Sequence, residues 1–290
     1  MQLIDGKKAS AEMRAELTAR VKELAAGGVV PGLATILVGQ DAASEVYVAN
    51  KIKACNALGI KSFHHKLPAT ASKAEIEDLI VKLNNDPAVN GILLQLPLPK
   101  GLDADKILES INPEKDVDGL HPFNIGMLSS AKTWKGLLEK KILMSCTPYG
   151  SILLLQKYGV EIAGKNAVVV GRSNLAGKPV AMMLLANNAT VTVAHSKTKD
   201  LAGLCRSADI LVAAIGIPKM IKKDFVKPGA AVIDIGINRT PDGLCGDVDF
   251  DAVKDVAGLI TPVPGGVGAM TITMLMKNTI TACEKQHNIQ

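Results

Sequence analysis

Short apolar runs alternate with amphipathic segments along the whole chain, and this alternation constrains the fold more than any other feature. The predicted strands are residues 33–38, 63–67, 91–96, 167–170, 190–194, 210–213 and 231–235. Apolar residues at helical spacing predict helices ending at Gly27-Gly28, spanning 43–58, 76–83 and 178–187, and closing the chain around 272–280. Strands that alternate with helices predict an α/β fold with parallel sheets.

The length and the position of a second strand–helix rhythm predict two domains. The chain has 290 residues, with 26 glycines and 3% aromatic residues, so its core consists of small aliphatic side chains that suit α/β layers. Pro, Gly and polar residues dominate 97–130, and the second rhythm starts at Thr147-Pro148, which is typical of an N-cap followed by a helix-starting proline. We expect two α/β domains that meet near residue 140.

Charge, cysteine content and hydropathy exclude several classes of protein. The net charge of +5 is mild and no run of five basic residues occurs, so nothing indicates a nucleic-acid partner. The five cysteines form no CxxC pair and no HExxH motif is present, which argues against a metal and favours a reducing compartment. No secretory signal and no apolar run of about 18 residues is visible. We expect a cytoplasmic protein without a membrane segment.

The segment 167–178 has the strand–turn–helix form of a phosphate-binding loop. Gly171 permits the tight turn, and Gly177 lets the helix approach the strand, while free N–H groups at the helix start favour an anion. The second glycine of a GxGxxG motif is replaced by Ser173. The loop therefore favours a nucleotide site, with an ordinary βα turn as the alternative.

The residues after the next strand indicate which dinucleotide would bind. A dinucleotide fold usually places an acid there for the ribose 2′-hydroxyl, but this chain has His195-Ser196-Lys197. Together with Arg172, Ser196 and Lys197 offer hydrogen-bond donors that suit a 2′-phosphate. The pattern favours NADP over NAD, unless these are ordinary loop residues.

Five further residues, in three parts of the chain, carry polar groups that could act on a substrate. Tyr47 and Lys51 lie four residues apart at the edge of an apolar helix stripe, where desolvation would lower the lysine pKa and make it a usable acid or base. Gln95 lies at the carboxyl end of a predicted strand, and Asp116 and Asp118 follow in a loop. A surface Tyr–Lys pair and solvated or helix-capping acids are the alternatives.

Six motifs in order resemble the bifunctional methylenetetrahydrofolate dehydrogenase/cyclohydrolase family over nearly the whole chain. They are the segments YVANK at 47–51, GILLQLPLP at 91–99, PEKDVDG at 113–119, CTPYG at 146–150, VGRS at 170–173 and TPVPGGVG at 261–268. The resemblance implies a folate-facing domain of residues 1–140 plus the helix 272–290, and a Rossmann-type NADP domain of residues 141–271. It also implies an active site in the cleft between them, a cytosolic homodimer and tetrahydrofolate derivatives as substrates.

The same resemblance implies roles for individual residues. Lys51 matches the catalytic lysine, Gln95 the glutamine that contacts it, Tyr47 the tyrosine that stacks on the substrate, and Asp118 the acid that holds the pterin. The implied NADP contacts are Gly171, Arg172, Ser173, Ser196 and Ile237, and the implied folate-side residues are Pro264, Gly265 and Thr271.

Some residues depart from the family pattern, and other functions stay open. Ser145 and Ala269 stand where the family usually has proline, and the connector 128–144 is longer and more charged than usual. A dehydrogenase without cyclohydrolase activity, a shikimate-type dehydrogenase and a non-catalytic NADP-binding module are the alternatives. The retained Lys51, Tyr47 and Gln95 disfavour the first and third, and the 261–268 loop and Asp118 disfavour the second.

Overall fold

The computed structural model describes residues 1–289, the side chain of Ala43 excepted. The chain forms two compact units. The six-stranded unit comprises Met1–Glu12, Leu128–Lys140 and Ser145–Met274, and the three-stranded unit comprises Met13–Met127, Lys141–Met144 and Leu275–Gln290. The functional division near residue 140, with 272–290 returning to the first domain, is not tested by this packing and stays a prediction; its last residue, Gln290, lies outside the described residues.

The strands and helices follow one another in the predicted α/β alternation. The strands are β1 (Gln2–Leu3), β2 (Gly32–Val38), β3 (Lys61–Leu67), β4 (Gly91–Leu94), β5 (Asn166–Val170), β6 (Thr190–Ala194), β7 (Ile210–Ala213), β8 (Ala231–Asp234), β9 (Asn238–Thr240), β10 (Gly243–Cys245) and β11 (Leu259–Ile260). The helices are α1 (Gly6–Ala26), α2 (Ala42–Leu58), α3 (Lys73–Asn85), α4 (Ala104–Leu108), α5 (Pro122–Ser130), α6 (Trp134–Glu139), α7 (Cys146–Lys157), α8 (Gly177–Ala186), α9 (Leu201–Arg206), α10 (Phe250–Val253) and α11 (Val267–Gln286).

The three-stranded unit is built on a parallel sheet with the order β3-β2-β4. All seven residues of β2 are buried, because the strand is central, and this explains its unbroken run of apolar and small residues. Asp41 caps α2 by accepting the Ser44 N–H at 2.7 Å, and Ser72 starts α3 with a capping box. These caps fix where the helices begin relative to the sheet.

The six-stranded unit contains a parallel sheet with the order β1-β11-β8-β7-β5-β6. The chain passes from β5 to β6 on one side and then returns to β7 on the other side of β5. Ligands of open α/β sheets bind at such a reversal, beyond the carboxyl ends of the strands. The core of this unit includes Val168, Leu211 and Val232, which are all buried on the sheet.

Several local predictions were wrong in detail. Thr147 is not an N-cap, because α7 already begins at Cys146, and the Thr147 hydroxyl instead lies 3.0 Å from that of Thr271. Strand β4 ends at Leu94 rather than at residue 96. Helices α4 and α5 lie in the stretch 97–130 that shows only turn-forming composition, and α11 begins five residues before the predicted start.

Candidate active site and cofactor site

Lys51 and Gln95 are in direct contact. Lys51 Nζ donates a hydrogen bond of 2.9 Å to Gln95 Oε1, and Gln95 Nε2 donates to the Leu96 carbonyl at 2.6 Å. Lys51 is half-buried on α2, whereas Gln95 is 8% exposed. The predicted lysine and glutamine are therefore brought together, with the glutamine carboxamide held in one orientation by the adjacent backbone.

Two different elements place these side chains. Lys51 lies near the middle of α2, where the buried residues Val48 and Cys55 fix the rotation of the helix. Gln95 follows β4, and its N–H still bonds the Ile36 carbonyl at 2.9 Å, so the residue continues the edge of the sheet. The contact thus depends on helix packing on one side and on strand pairing on the other.

Tyr47 lies one turn before Lys51 on the same side of α2 and is 41% exposed. An exposed tyrosine ring next to a half-buried lysine offers an apolar surface beside an amino group. This placement agrees with the predicted stacking residue, although its role stays a prediction.

Asp116 and Asp118 differ in their surroundings. Asp116 is 1% exposed and accepts hydrogen bonds from the His121 N–H at 2.8 Å and from Asn124 Nδ2 at 2.9 Å. Burial raises the pKa of Asp116, and Asn124 acts in the opposite direction. Asp118, in contrast, is half-buried. Asp116 therefore stabilises the loop, whereas part of the Asp118 side chain stays accessible to solvent.

The loop that carries Asp118 is anchored on both sides. Lys115 donates from Nζ to the Leu83 and Asp86 carbonyls at 3.1 and 2.8 Å, which ties the loop to the end of α3. Asn278 donates from Nδ2 to the Val117 carbonyl at 2.9 Å. The residue just before Asp118 is thus fixed by a buried side chain, a contact that the sequence pattern does not reveal.

The glycine turn after β5 has the geometry expected of a phosphate-binding loop. Gly171 has a φ of +123°, and a Cβ there would overlap the Ala214 carbonyl oxygen. A Cβ at Gly177 would overlap the carbonyl of Gly171, so both glycines are required by close backbone approach. Ser173 Oγ accepts the Ala176 N–H at 3.2 Å and so stabilises the turn that leads into α8.

Three further predicted cofactor residues lie at the carboxyl edge of the same parallel sheet. Arg172 is exposed in the glycine turn, Ser196 is exposed just beyond β6, and Ile237 is 48% exposed beyond β8. The carboxyl ends of β5, β6 and β8 face one edge because the strands are parallel. These residues and this edge suit a dinucleotide, with Ser196 at the strand end where a ribose would lie.

The predicted folate-side residues of the six-stranded unit lie around the start of α11. Gly265 has a φ of +107°, and its carbonyl accepts the Lys7 N–H at 3.1 Å. Pro264 is exposed and Thr271 is half-buried. A Cβ at Gly6 would overlap the Gly266 carbonyl, so the loop packs closely on the start of α1.

Two acids that the sequence analysis missed lie at the carboxyl edge of the six-stranded sheet. Asp234 is 3% exposed and Asp247 is fully buried. Burial raises the pKa of Asp234 to about 7, with nearby Asp247 adding to the effect and the Val248 and Asp247 amides opposing it. The sequence signal of Asp234 is an acid at the end of an apolar strand, in the segment VIDIG at 232–236. Asp247 lies in the segment GDVDF at 246–250.

Two further properties concern the described part of the chain. Residues 1–289 contain no group of three His, Cys, Asp or Glu side chains that could hold a metal ion. Across the same residues, every helix is too short or too polar to cross a bilayer.

The fold and the two groups of residues define a class: a two-unit α/β protein with a six-stranded parallel sheet of the dinucleotide-binding type and a three-stranded unit in which a lysine is hydrogen-bonded to a glutamine. Residues 4–118 match the family model for the tetrahydrofolate dehydrogenase/cyclohydrolase catalytic domain, and residues 145–287 match its NAD(P)-binding domain. The chain belongs to the tetrahydrofolate dehydrogenase/cyclohydrolase family, which confirms the resemblance found in its motifs.

Individual relatives agree with this assignment over nearly their full length. The bifunctional protein FolD of Geotalea uraniireducens is 54% identical over 98% of this chain and 99% of its own. The crystal structure of FolD from Campylobacter jejuni superposes with a TM-score of 0.94 at 46% identity, covering 99% of both chains. The Trypanosoma brucei enzyme, complexed with NADP cofactor and inhibitor, gives a TM-score of 0.90 at 40% identity and covers 98% of both chains.

Proposed function

We propose that this protein oxidises 5,10-methylenetetrahydrofolate with NADP and hydrolyses the resulting 5,10-methenyltetrahydrofolate to 10-formyltetrahydrofolate. The observation that carries the proposal is the hydrogen bond of 2.9 Å between Lys51 Nζ and Gln95 Oε1, in a chain of this family. Such a pair supplies the proton transfers that hydrolysis requires, and the six-stranded unit carries a sheet edge suited to a dinucleotide. The reactions belong to one-carbon metabolism.

Lys51 is the catalytic residue of the hydrolytic step. A neutral amine can take a proton from the attacking water and return it to the folate nitrogen that leaves. Because Gln95 Oε1 accepts one N–H of Lys51, it fixes the direction of the lone pair and the other N–H group of the neutral amine. Gln95 therefore acts on the reaction by orienting Lys51.

The substrate is held by residues of complementary chemistry. The Tyr47 ring stacks on the aminobenzoyl group, and the carboxylate of Asp118 accepts hydrogen bonds from the amino and ring N–H groups of the pterin. Pro264, Gly265 and Thr271 line the folate side of the site. The anchored Asp118 loop keeps its carboxylate in place before the substrate arrives, which lowers the entropic cost of binding.

The cofactor residues are Gly171, Arg172, Ser173, Ser196 and Ile237. NADP, when bound, accepts the hydride that leaves the bridging methylene group, and no protein base is required for that transfer. Arg172 and Ser196 donate to the 2′-phosphate, the glycine turn approaches the diphosphate, and Ile237 provides an apolar contact. The absence of an acid in the sequence from 195 to 199 supports NADP rather than NAD.

We also propose that the enzyme is a cytoplasmic homodimer. The five cysteines are unpaired, as is usual in a reducing compartment. Residues 1–140 with 272–290 form the functional folate-binding domain in this proposal, and residues 141–271 form the NADP domain. Gel filtration with light scattering tests the dimer directly, since a monomer mass at micromolar concentration would exclude it.

Absorbance after mixing the protein with methylenetetrahydrofolate and NADP tests the whole proposal. We expect NADPH to accumulate without lasting methenyltetrahydrofolate, because the second activity consumes it. NADPH with a persistent methenyl signal would indicate a dehydrogenase alone, and no NADPH would leave a non-catalytic NADP-binding module. A separate assay that starts from methenyltetrahydrofolate measures the cyclohydrolase without the oxidation.

A further inference from the structure

Two buried carboxylates lie at the carboxyl edge of the six-stranded sheet, outside the set of residues predicted to touch the ligands. Asp247 is fully buried, and Asp234 is 3% exposed. Buried carboxylates are costly unless hydrogen-bond donors surround them. Each of these two accepts three hydrogen bonds, so donors surround both carboxyl groups.

Asp247 joins two different turns. Its Oδ2 accepts the successive backbone N–H groups of Ile215 and Gly216 at 2.6 and 2.9 Å, and its Oδ1 accepts Asn238 Nδ2 at 2.8 Å. Ile215 and Gly216 lie in the turn after β7, and Asn238 is the first residue of β9, directly after the turn that follows β8. A Cβ at Gly236 would overlap the Asp247 carboxyl group, so the turn after β8 closes directly over it.

Both turns border the proposed cofactor residues. Asn238 directly follows Ile237 in the sequence. The turn after β7 begins at Ala214, whose N–H bonds the Val170 carbonyl at 2.8 Å and whose own carbonyl leaves no room for a Cβ at Gly171. Movement of either turn would therefore displace the backbone around Ile237 or around the glycine turn.

Asp234 in turn fixes Asp247. Its Oδ1 accepts the backbone N–H groups of Gly236 and Asp247 at 2.9 and 3.0 Å, and its Oδ2 accepts that of Val248 at 2.9 Å. A Cβ at Gly246 would overlap the Asp234 carboxyl group. Asp234 thus fixes the backbone of Asp247, while the Asp247 side chain binds the backbone after β7 and the side chain of Asn238.

We infer that Asp247 is a positioning residue for NADP: it pre-organises the turns after β7 and β8, so that the cofactor binds without first ordering them. The inference rests on the proposed NADP site. If the hydrogen bonds of Asp247 are lost, the two turns must become ordered when NADP binds. We expect this cost to weaken NADP binding by about tenfold or more.

The central variant is Asp247→Asn, and Asp209→Asn is a control that removes a partly exposed carboxylate, ion-paired with Lys227, from another part of the same sheet. The carboxamide that this change introduces can still accept the two backbone N–H groups, but it presents an NH₂ group to the NH₂ group of Asn238. Asp209 also accepts a backbone N–H, that of Asn166 at 2.9 Å, but it lies before β7 at the opposite edge of the sheet. We expect the calorimetric Kd for NADP to rise by about tenfold with Asp247→Asn. With the control it should stay within about twofold.

A swapped variant separates positioning from general stability. In Asp247→Asn/Asn238→Asp the donor and acceptor exchange places, so the contact between the two turns is restored. We expect the swapped variant to bind NADP almost as tightly as the wild type and to have a KM for NADP close to the wild-type value. The cyclohydrolase kcat of all these variants should stay close to that of the wild type. Asn238→Ala, which removes only one of the three hydrogen bonds, should raise the Kd about threefold and keeps the test available if Asp247→Asn does not fold.

The possible outcomes distinguish this inference from the proposed function. If the wild type does not bind NADP in the calorimeter, the proposed function is wrong. If the wild type binds NADP but folded Asp247→Asn binds equally well, the positioning role is wrong. Recovery of the melting temperature but not of the Kd in the swapped variant would likewise leave Asp247 with a purely structural role and overturn the inference.

Discussion

Lys51 and Gln95 are joined by a hydrogen bond of 2.9 Å that links the middle of α2 to the end of β4. Since Lys51 is the one side chain proposed to move the protons of hydrolysis, Lys51→Met should abolish cyclohydrolase activity. The loss expected for a missing general acid–base group is at least about 100-fold in kcat. Hydrolysis of methenyltetrahydrofolate followed by absorbance measures it.

The matched control for this variant is Lys53→Met. Lys53 lies on the same helix two residues further on, but it is exposed. We expect its cyclohydrolase rate to match that of the wild type. A folded Lys51→Met protein with an intact cyclohydrolase would refute the catalytic role of Lys51.

Asp118 is the acid proposed to hold the pterin, so its charge should matter for folate affinity. We expect Asp118→Asn to raise the KM for methylenetetrahydrofolate about tenfold or more, because the amide replaces an acceptor with a donor facing the pterin N–H groups. Asp105→Asn, at an exposed position on α4, is the control that removes the same charge. Unchanged steady-state constants for Asp118→Asn would exclude the contact.

The sequence predicts those elements whose partners do not need to be known. Strand β2 is apolar or small at every position except Thr35, because both neighbours and both faces bury it. The apolar spacing over 76–83 predicts α3, although the capping box of Ser72 and Glu75 starts the helix three residues earlier, at Lys73. Strand β1 has only two residues and pairs with β11 near the other end of the chain, so no local periodicity reveals it. Helix α4 has only five residues, too few to show a helical spacing of apolar residues.

The candidate site shows the same limit. Lys51, Gln95 and Asp118 carry recognisable chemistry within motifs, and the first two are brought into contact as the resemblance implied. Asn278 and Asp247 act through backbone groups that are remote in sequence, the Val117 carbonyl and the Ile215 N–H. Only folding brings such donors and acceptors together, and neither residue has a local pattern that distinguishes it from an ordinary polar residue.

Cofactor choice should follow from the residues just beyond β6. The wild type is expected to use NADP with a higher kcat/KM than NAD, and Ser196→Asp should reduce that ratio at least about tenfold because a carboxylate repels the 2′-phosphate and suits a 2′-hydroxyl. Thr190→Asp, at the amino end of the same strand, is the control. Equal or better kcat/KM with NAD in the wild type would contradict the assignment.

Asp234 should make stability depend on pH in the direction opposite to most acids. Burial raises its pKa to about 7 in the folded protein, from an ordinary value of 3.8. Between those two values the unfolded chain releases the proton while the folded protein keeps it, so the free energy of unfolding contributed by this group falls as pH rises from about 4 to about 7. The full change is on the order of 4 kcal/mol.

Urea denaturation of the wild type and of Asp234→Asn across this pH range tests that sign. The variant has no titratable group at position 234, so its free energy of unfolding should rise relative to that of the wild type from pH 4 to pH 7. A constant difference at every pH would show that Asp234 titrates normally in the folded protein.

Thiol accessibility gives a last check on packing in both units. Cys55, Cys146, Cys205 and Cys283 are buried, and Cys245 is half-buried at the end of β10. Burial raises the pKa of Cys55, Cys205 and Cys283 to about 11 each, which keeps these thiols protonated and unreactive at neutral pH. Iodoacetamide at pH 7.5 should therefore modify one cysteine per chain rapidly, and mass spectrometry should place the label on Cys245.

Two controls test this result. Cys245→Ser should lose the fast reaction, and denaturant should expose all five thiols of the wild type. Rapid labelling of a second cysteine in the native protein would mean that the packing around it opens readily.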